Sequence, residues 1–225
     1  MVNESVSMQV TVVGSEDGKE TYEIRRSWDA SGKKALVLEL YPTINVKNSM
    51  VLDVSTMHLL NHAREFGWGE VRVVNLYPYV FDKKPGVDEL HESVENLEYI
   101  RDILTGKDIA EYDIVIAYGS SLSSHACTQH IKRNILLMLQ EYKLEAQVKH
   151  IITDTIDTEK QCGTHPLYLG LRHSAEVWRL AEFPLTQALA ECSPHKEPAE
   201  KPAVTSSKRV SKKGAKNVPT TEEQA

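Results

Sequence analysis

Short apolar runs alternate along this chain with longer stretches in which apolar residues recur every three or four positions. The runs have the length of buried strands and the longer stretches the period of amphipathic helices. Near the start, MQVTVV and TYEIRR flank GSEDGKE, whose Asp17-Gly18 pair suits a tight turn, so the spacing predicts an N-terminal hairpin. KKALVLEL then reads as a buried strand. It is followed by LDVSTMHLLNHAREFGWG, with Met57, Leu60, Ala63 and Phe66 at helical spacing, cap candidates at Asp53 and Ser55, and Gly67 just past the end. The alternation continues with EVRVVNLY, DELHESVENLEYIRDILTG, YDIVIAYG and HACTQHIKRNILLMLQEYK, and AQVKHIITD is the last clear strand. Parallel strands need crossovers, so the pattern predicts an α/β fold: a three-layer sandwich with a mainly parallel central sheet, helices on both faces and the hairpin added.

Composition then sets boundaries. At 225 residues and 41% hydrophobic, the chain can bury one sizeable core, and residues 1–192 are expected to form a single domain. Residues 193–225 differ: rich in Pro, Ser, Thr and Lys and nearly free of large apolar residues, they are expected to be a disordered basic tail. That tail holds seven Lys or Arg against four Glu, so the net charge of -6 conceals a charge of -9 on the rest. It reads equally as a solubilising extension or as an arm for a polyanion such as DNA. No apolar run reaches the roughly 18 residues of a membrane span, and MVNESVSMQV lacks the features of a signal peptide, so no membrane partner and a cytoplasmic location are expected. Cys127, Cys162 and Cys192 include no C-x-x-C pair, which argues against a disulfide framework, a zinc ribbon or a four-cysteine cluster.

Ligands of such sheets bind beyond the carboxyl ends of the strands. Four strand ends carry polar residues there. Tyr41-Pro42-Thr43 leads towards Asp53; VVNLYPYVF sets Asn75 inside an apolar run, with Tyr77, Tyr79 and Phe81 behind it; YGSSLSSH spans Tyr118 to His125; and CGTHPLYLGLRH contains His165. Asp53 reads first as a helix cap, and Asn75 as either a satisfied core amide or a ligand reader. YGSSLSSH has the glycine and hydroxyls of a phosphate cradle but lacks the Gly-Lys-Ser/Thr ending. Cys162, His165 and His173 follow no zinc-ligand motif, and a Cys162 nucleophile has only an incidental neighbouring histidine to support it. No metal and no cofactor are expected. His165, with its turn fixed by the following proline, remains as a hydrogen-bond donor or proton carrier.

The order of RRSWD, LELYPT, a downstream Asp and Thr, FGWGEVRVVNLYPY, DIVIAYG and HPLYL resembles a bacterial and phage family of unknown function. That family reads Leu-Asn-Pro-Ser-Thr, Asp-x-Thr, Gly-Tyr-Gly, Val-Asn-Leu-Phe, Ala-Trp-Gly and His-Pro-Leu-Tyr, and the resemblance covers about Arg25 to Leu169. The family is in turn similar to the uracil-DNA glycosylase superfamily. The resemblance implies that Pro42 and its neighbours Tyr41 and Thr43 hold the water and sugar, that Asn75 reads the base, and that His165 faces the oxygen of the departing base. Tyr41, Tyr77, Tyr79 or Phe81 would stack on a flipped base. The chain departs from the pattern where Tyr41-Pro42-Thr43 replaces Asn-Pro-Ser, and the loop lacks the acidic water activator of the best-known glycosylases, for which Asp53 is the nearby substitute.

The leading expectation is therefore a metal-free, monofunctional DNA glycosylase acting on a flipped, modified pyrimidine, in repair or in defence against modified phage DNA. DNA is its expected partner, with no obligate protein partner. A non-catalytic module that binds a nucleotide or modified base, and a hydrolase of free nucleotides or nucleosides, are the alternatives.

Overall fold

The computed structural model describes residues 1–81, 83–156 and 162–192; the expected tail, 193–225, lies outside the described residues. The chain runs β1 (Gln9–Gly14), β2 (Thr21–Ser27), β3 (Lys33–Glu39), α1 (Val54–Phe66), β4 (Trp68–Asn75), α2 (Val94–Leu104), β5 (Tyr112–Ile116), α3 (Ala126–Glu141), β6 (Val148–Ile152), α4 (Pro166–Arg172), β7 (Arg179–Glu182) and α5 (Leu185–Glu191). One seven-stranded sheet holds them in the order β1-β2-β4-β3-β5-β6-β7.

Only the inner strands β4-β3-β5-β6 are parallel; β1 with β2, β2 with β4, and β6 with β7 pair antiparallel. The expectation of a mainly parallel sheet is corrected to a mixed one. The hairpin does not stand apart but joins the sheet through β2, and RLAE, too short to show a period, adds an antiparallel edge at β7. The hairpin turn is built by Ser15 and Asp17, with Gly18 at φ +77° as its left-handed residue.

Crossover handedness explains the layers. Moving from β3 to β4 and from β5 to β6 takes the chain in opposite directions along the sheet, so right-handed crossovers must place α1 on one face and α3 on the other. The cores agree. Ala35, Val37, Val73 and Val115 pack with Leu59, Ala63 and Phe66 of α1 and Leu169 of α4. Leu36, Leu38, Val74 and Ile114 face the other way, against Ile100 of α2, Ile131 and Ile135 of α3, and Leu189 of α5. Strand alternation thus feeds two apolar faces.

Helix α1 shows how caps and burial cooperate. The Asp53 side chain accepts from the Thr56 N–H, and Gly67 closes the helix at φ +72°. Its buried stripe is Thr56, Leu59, His62, Ala63 and Phe66, whereas Met57 is exposed. The expected stripe is therefore rotated: Ala63 and Phe66 hold, and Leu59 replaces Met57 and Leu60.

Strand β2 carries a paired polar cluster into the sheet. Glu23 accepts from Arg72 at 2.6 Å, from Tyr99 at 2.9 Å and from Arg25 at 3.0 Å, which holds its carboxyl below the ordinary range despite burial. No helix among the described residues is long and apolar enough to cross a membrane.

Candidate functional site

Between β3 and β5 the chain leaves neighbouring carboxyl ends in opposite directions, which opens a crevice at the top of the sheet. Glu39, the last residue of β3, lies in register with Asn75, the last residue of β4. Both fall on the α1 side by strand alternation. Glu39 is 6% exposed and Asn75 1%. Neither Glu39 Oε1 nor Asn75 Oδ1 meets a hydrogen-bond partner among the described residues. Two orphaned polar atoms cost roughly 1–3 kcal/mol each, which a folded core does not carry without compensation.

His165 faces Glu39. It is the N-cap of α4, and its Nδ1 accepts from the Leu167 N–H at 3.2 Å, which leaves the ring proton on Nε2. Nε2 lies 3.9 Å from Glu39 Oε2, too far for a hydrogen bond, yet close enough for one oxygen atom to touch both. Burial pushes the Glu39 carboxyl up to about 8, and the charge of Asp53 adds to the shift. Burial pushes the His165 imidazole down to about 4, against the pull of Asp53. Both groups are therefore neutral at pH 7, a facing acid and imidazole with opposite departures from their ordinary values.

The backbone holds this geometry. Gly119, just past β5, has φ +67°, and a Cβ there would lie 3.0 Å from the His165 Cβ. Only glycine lets the β5 end approach the histidine this closely. Its N–H donates to the Gly163 carbonyl at 2.8 Å, which ties the β5 end to the loop before α4.

The remaining residues singled out in the sequence divide into two groups. Asp53 stands at the α1 N-cap with both oxygens in use, Oδ1 on the Thr56 N–H at 2.7 Å and Oδ2 on the Thr43 hydroxyl at 3.0 Å. Thr43 is thus a loop tie, and Pro42 is buried beside it. Arg26, buried under the same loop, donates to the Val51 carbonyl at 3.0 Å. Tyr41 is half-buried and meets the Phe81 ring edge-on at 6.1 Å, while Tyr79 lies 6.3 Å from Phe81 and 4.6 Å from His91. Tyr77 is placed elsewhere: it is fully buried in the α2–α3 core, with its hydroxyl 2.7 Å from Thr128 Oγ1, and its ring offers no surface for the stacking expected of it. His165 and His173 cap opposite ends of α4, and no cluster of three or more His, Cys, Asp or Glu among the described residues is arranged to hold a metal ion.

Glu39 is the residue that sequence reasoning missed. Its signal was present, a carboxylate at an inward position of an apolar strand, but LEL reads as the polar end of a buried run until register sets it against Asn75.

A family model described as a protein of unknown function (DUF1643) matches residues 21–167, a stretch that contains Glu39, Asp53, Asn75, Gly119 and His165. No curated protein and no solved structure matches the chain.

Proposed function

The chain belongs to the DUF1643 family of proteins of unknown function, and from its strand-end site we propose that it hydrolyses the N-glycosidic bond of a pyrimidine nucleotide unit, a flipped and modified base in DNA. The observation that carries this reading is a pair of buried oxygens on adjacent strand ends, Glu39 Oε1 and Asn75 Oδ1, without a partner among the described residues, with His165 facing Glu39.

The chemistry needs three things, and the site has a group for each. An amide at Asn75 matches a donor–acceptor base edge and turns its orphaned state into a bound one. The neutral His165 Nε2–H gives a hydrogen bond to the base oxygen as the C1′–N bond breaks and its electron pair leaves with the base. Glu39, in its ionised form, takes the proton from the attacking water, whose oxygen forms the new bond to C1′. With its value at about 8, Glu39 is about one-tenth ionised at pH 7, so the rate rises with pH up to about 8. This assigns water activation to Glu39 and leaves Asp53 as the cap whose charge steadies a cationic sugar. Tyr41, Tyr79 and Phe81 take the stacking role. The likeness to uracil-DNA glycosylases belongs to this proposal.

The test is incubation with genomic DNAs carrying different natural base modifications and with free nucleosides, followed by mass spectrometry of released bases and an assay for abasic sites. Release of one free base, reduced at least 100-fold in Glu39→Gln, His165→Ala and Asn75→Ala, supports the reading. Binding without release from any substrate replaces it with a base-reading module. The charge of -9 outside the tail favours one further reading, a hydrolase of free nucleosides, and release from nucleosides with none from DNA selects it.

A further inference from the structure

A second cavity, of about 250 Å³, opens on the α3–α5 side of the same strand end. It is lined by Gly119, Ser120 and Ser123 from the loop after β5, by Gln129 and Lys132 from the first two turns of α3, and by Cys162. Lys132 is 6% exposed. Its ammonium lies 4.2 Å from the centre of the Tyr118 ring and 3.4 Å from the Gly119 carbonyl oxygen, and no carboxylate among the described residues forms an ion pair with it. Glu191, exposed at the rim, is engaged by the Gln187 amide at 2.9 Å instead. The Cys192 thiol, which also lines the cavity, is the titratable neighbour of Lys132 and favours the charged form only weakly against burial, so the cation is poorly compensated.

The loop before α3 is the Gly-Ser-Ser-Leu-Ser-Ser stretch that resembles a phosphate cradle without its lysine. The fold supplies the lysine from another place. A helical side chain leans towards its own N-terminus, so Lys132, in the second turn of the 16-residue α3, reaches back to Gly119 at the start of the loop. Gln129 donates through its amide nitrogen to the Ser123 carbonyl, and its buried Oε1 has no partner among the described residues and can accept from a ligand hydroxyl.

We propose that this cavity is a phosphate-binding site, in which Lys132 and the loop residues Gly119, Ser120 and Ser123 hold a phosphate group, free or carried on a sugar whose hydroxyl meets Gln129. Burial pushes the Lys132 amine down to about 8, and a bound phosphate restores its proton, so binding takes up protons near that pH. A tetrahedral oxyanion suits this donor set because its oxygens accept from several directions at once. The proposal does not depend on the glycosidic reading.

The test is calorimetric titration of the full-length protein with inorganic phosphate and with ribose 5-phosphate, in two buffers of different ionisation enthalpy near pH 8. Neither probe carries a glycosidic bond to a base, so the result is independent of the reaction proposed above. Millimolar or tighter binding with proton uptake, weakened at least tenfold in Lys132→Met, supports the site. Equal affinity for the two probes makes it a free-phosphate site, and tighter ribose 5-phosphate makes it a sugar-phosphate site. Lys132→Met exchanges a buried amine for an apolar chain of similar length, so its unliganded Tm should not fall. Ser123→Ala, at the exposed rim, gives a second variant with a smaller loss. Absence of binding by both probes, or affinity unchanged in Lys132→Met, overturns the proposal.

Discussion

Glu39 and His165 oppose each other in their proton binding, and the sum sets a testable pH dependence. The ordinary values are 4.5 for Glu39 and 6.5 for His165; in the fold they become about 8 and about 4. Between pH 4.5 and 6.5 the folded pair holds one proton, on Glu39, and the unfolded pair also holds one, on His165, so their contribution to stability is flat. Above 6.5 the unfolded pair holds none while Glu39 keeps its proton, so stability falls until about pH 8, by roughly 2 kcal/mol. Below 4.5 the unfolded pair binds two protons against one in the fold, and stability falls again as the pH approaches about 4. Glu39→Gln should abolish the alkaline decline and, because His165 then titrates alone, start the acid one at about pH 6.5, with the alkaline change read from urea midpoints at pH 6.5 and 8. An alkaline decline of equal size in both proteins would mean that Glu39 is not the neutral acid described.

At the scale of elements, Gly119 connects β5 to α4, and its demand can be separated into two parts. Alanine at Gly119 meets a strained φ and crowds the His165 Cβ, while alanine at Gly67, at nearly the same φ, has nothing among the described residues within 4 Å of its Cβ. Both substitutions should cost about 1–2 kcal/mol in stability. Only Gly119→Ala should also lower base release, beyond what its lost stability explains, because it displaces the histidine. Equal activity of the two variants would remove Gly119 from the positioning of His165.

The same elements show what was legible in the chain. The hairpin, the inner strands and the three long helices could be read because their signals are local: Asp17-Gly18, continuous apolar runs, Asp53 and Gly67 at the ends of one helical period. What escaped was set by pairing. The mixed character of the sheet depends on β2 joining β4 and on the four-residue β7, and neither contact is written in a period. His165 and Asn75 could be singled out as candidates from their places at strand ends, but Glu39 needed the β3–β4 register, Lys132 needed the backward lean of a helical side chain, and Tyr77 needed the knowledge of which face its loop turns inward.

For the whole molecule, charge decides what kind of substrate can approach. The first 192 residues carry 19 Lys and Arg against 28 Asp and Glu, a field that repels duplex DNA, while residues 193–225 carry seven Lys or Arg against four Glu. If the substrate base is in DNA, the tail must supply the phosphate contacts that the acidic part lacks. Each contacted phosphate contributes about 0.9 to the slope of log affinity against log salt, so seven basic residues can account for a slope of at most about 6. Deleting residues 193–225 should then flatten the salt dependence of DNA binding and raise KM for DNA at 150 mM salt by at least tenfold, with release from free nucleosides unchanged. The two quantities are read from fluorescence anisotropy across a salt series and from base-release kinetics. If the slope and KM survive the deletion, the tail is a solubilising extension. Any DNA contact would then have to come from positive helix ends and loop amides around the crevice, a source too weak to hold a duplex against a charge of -9, and that result would point the Glu39 site towards free nucleosides.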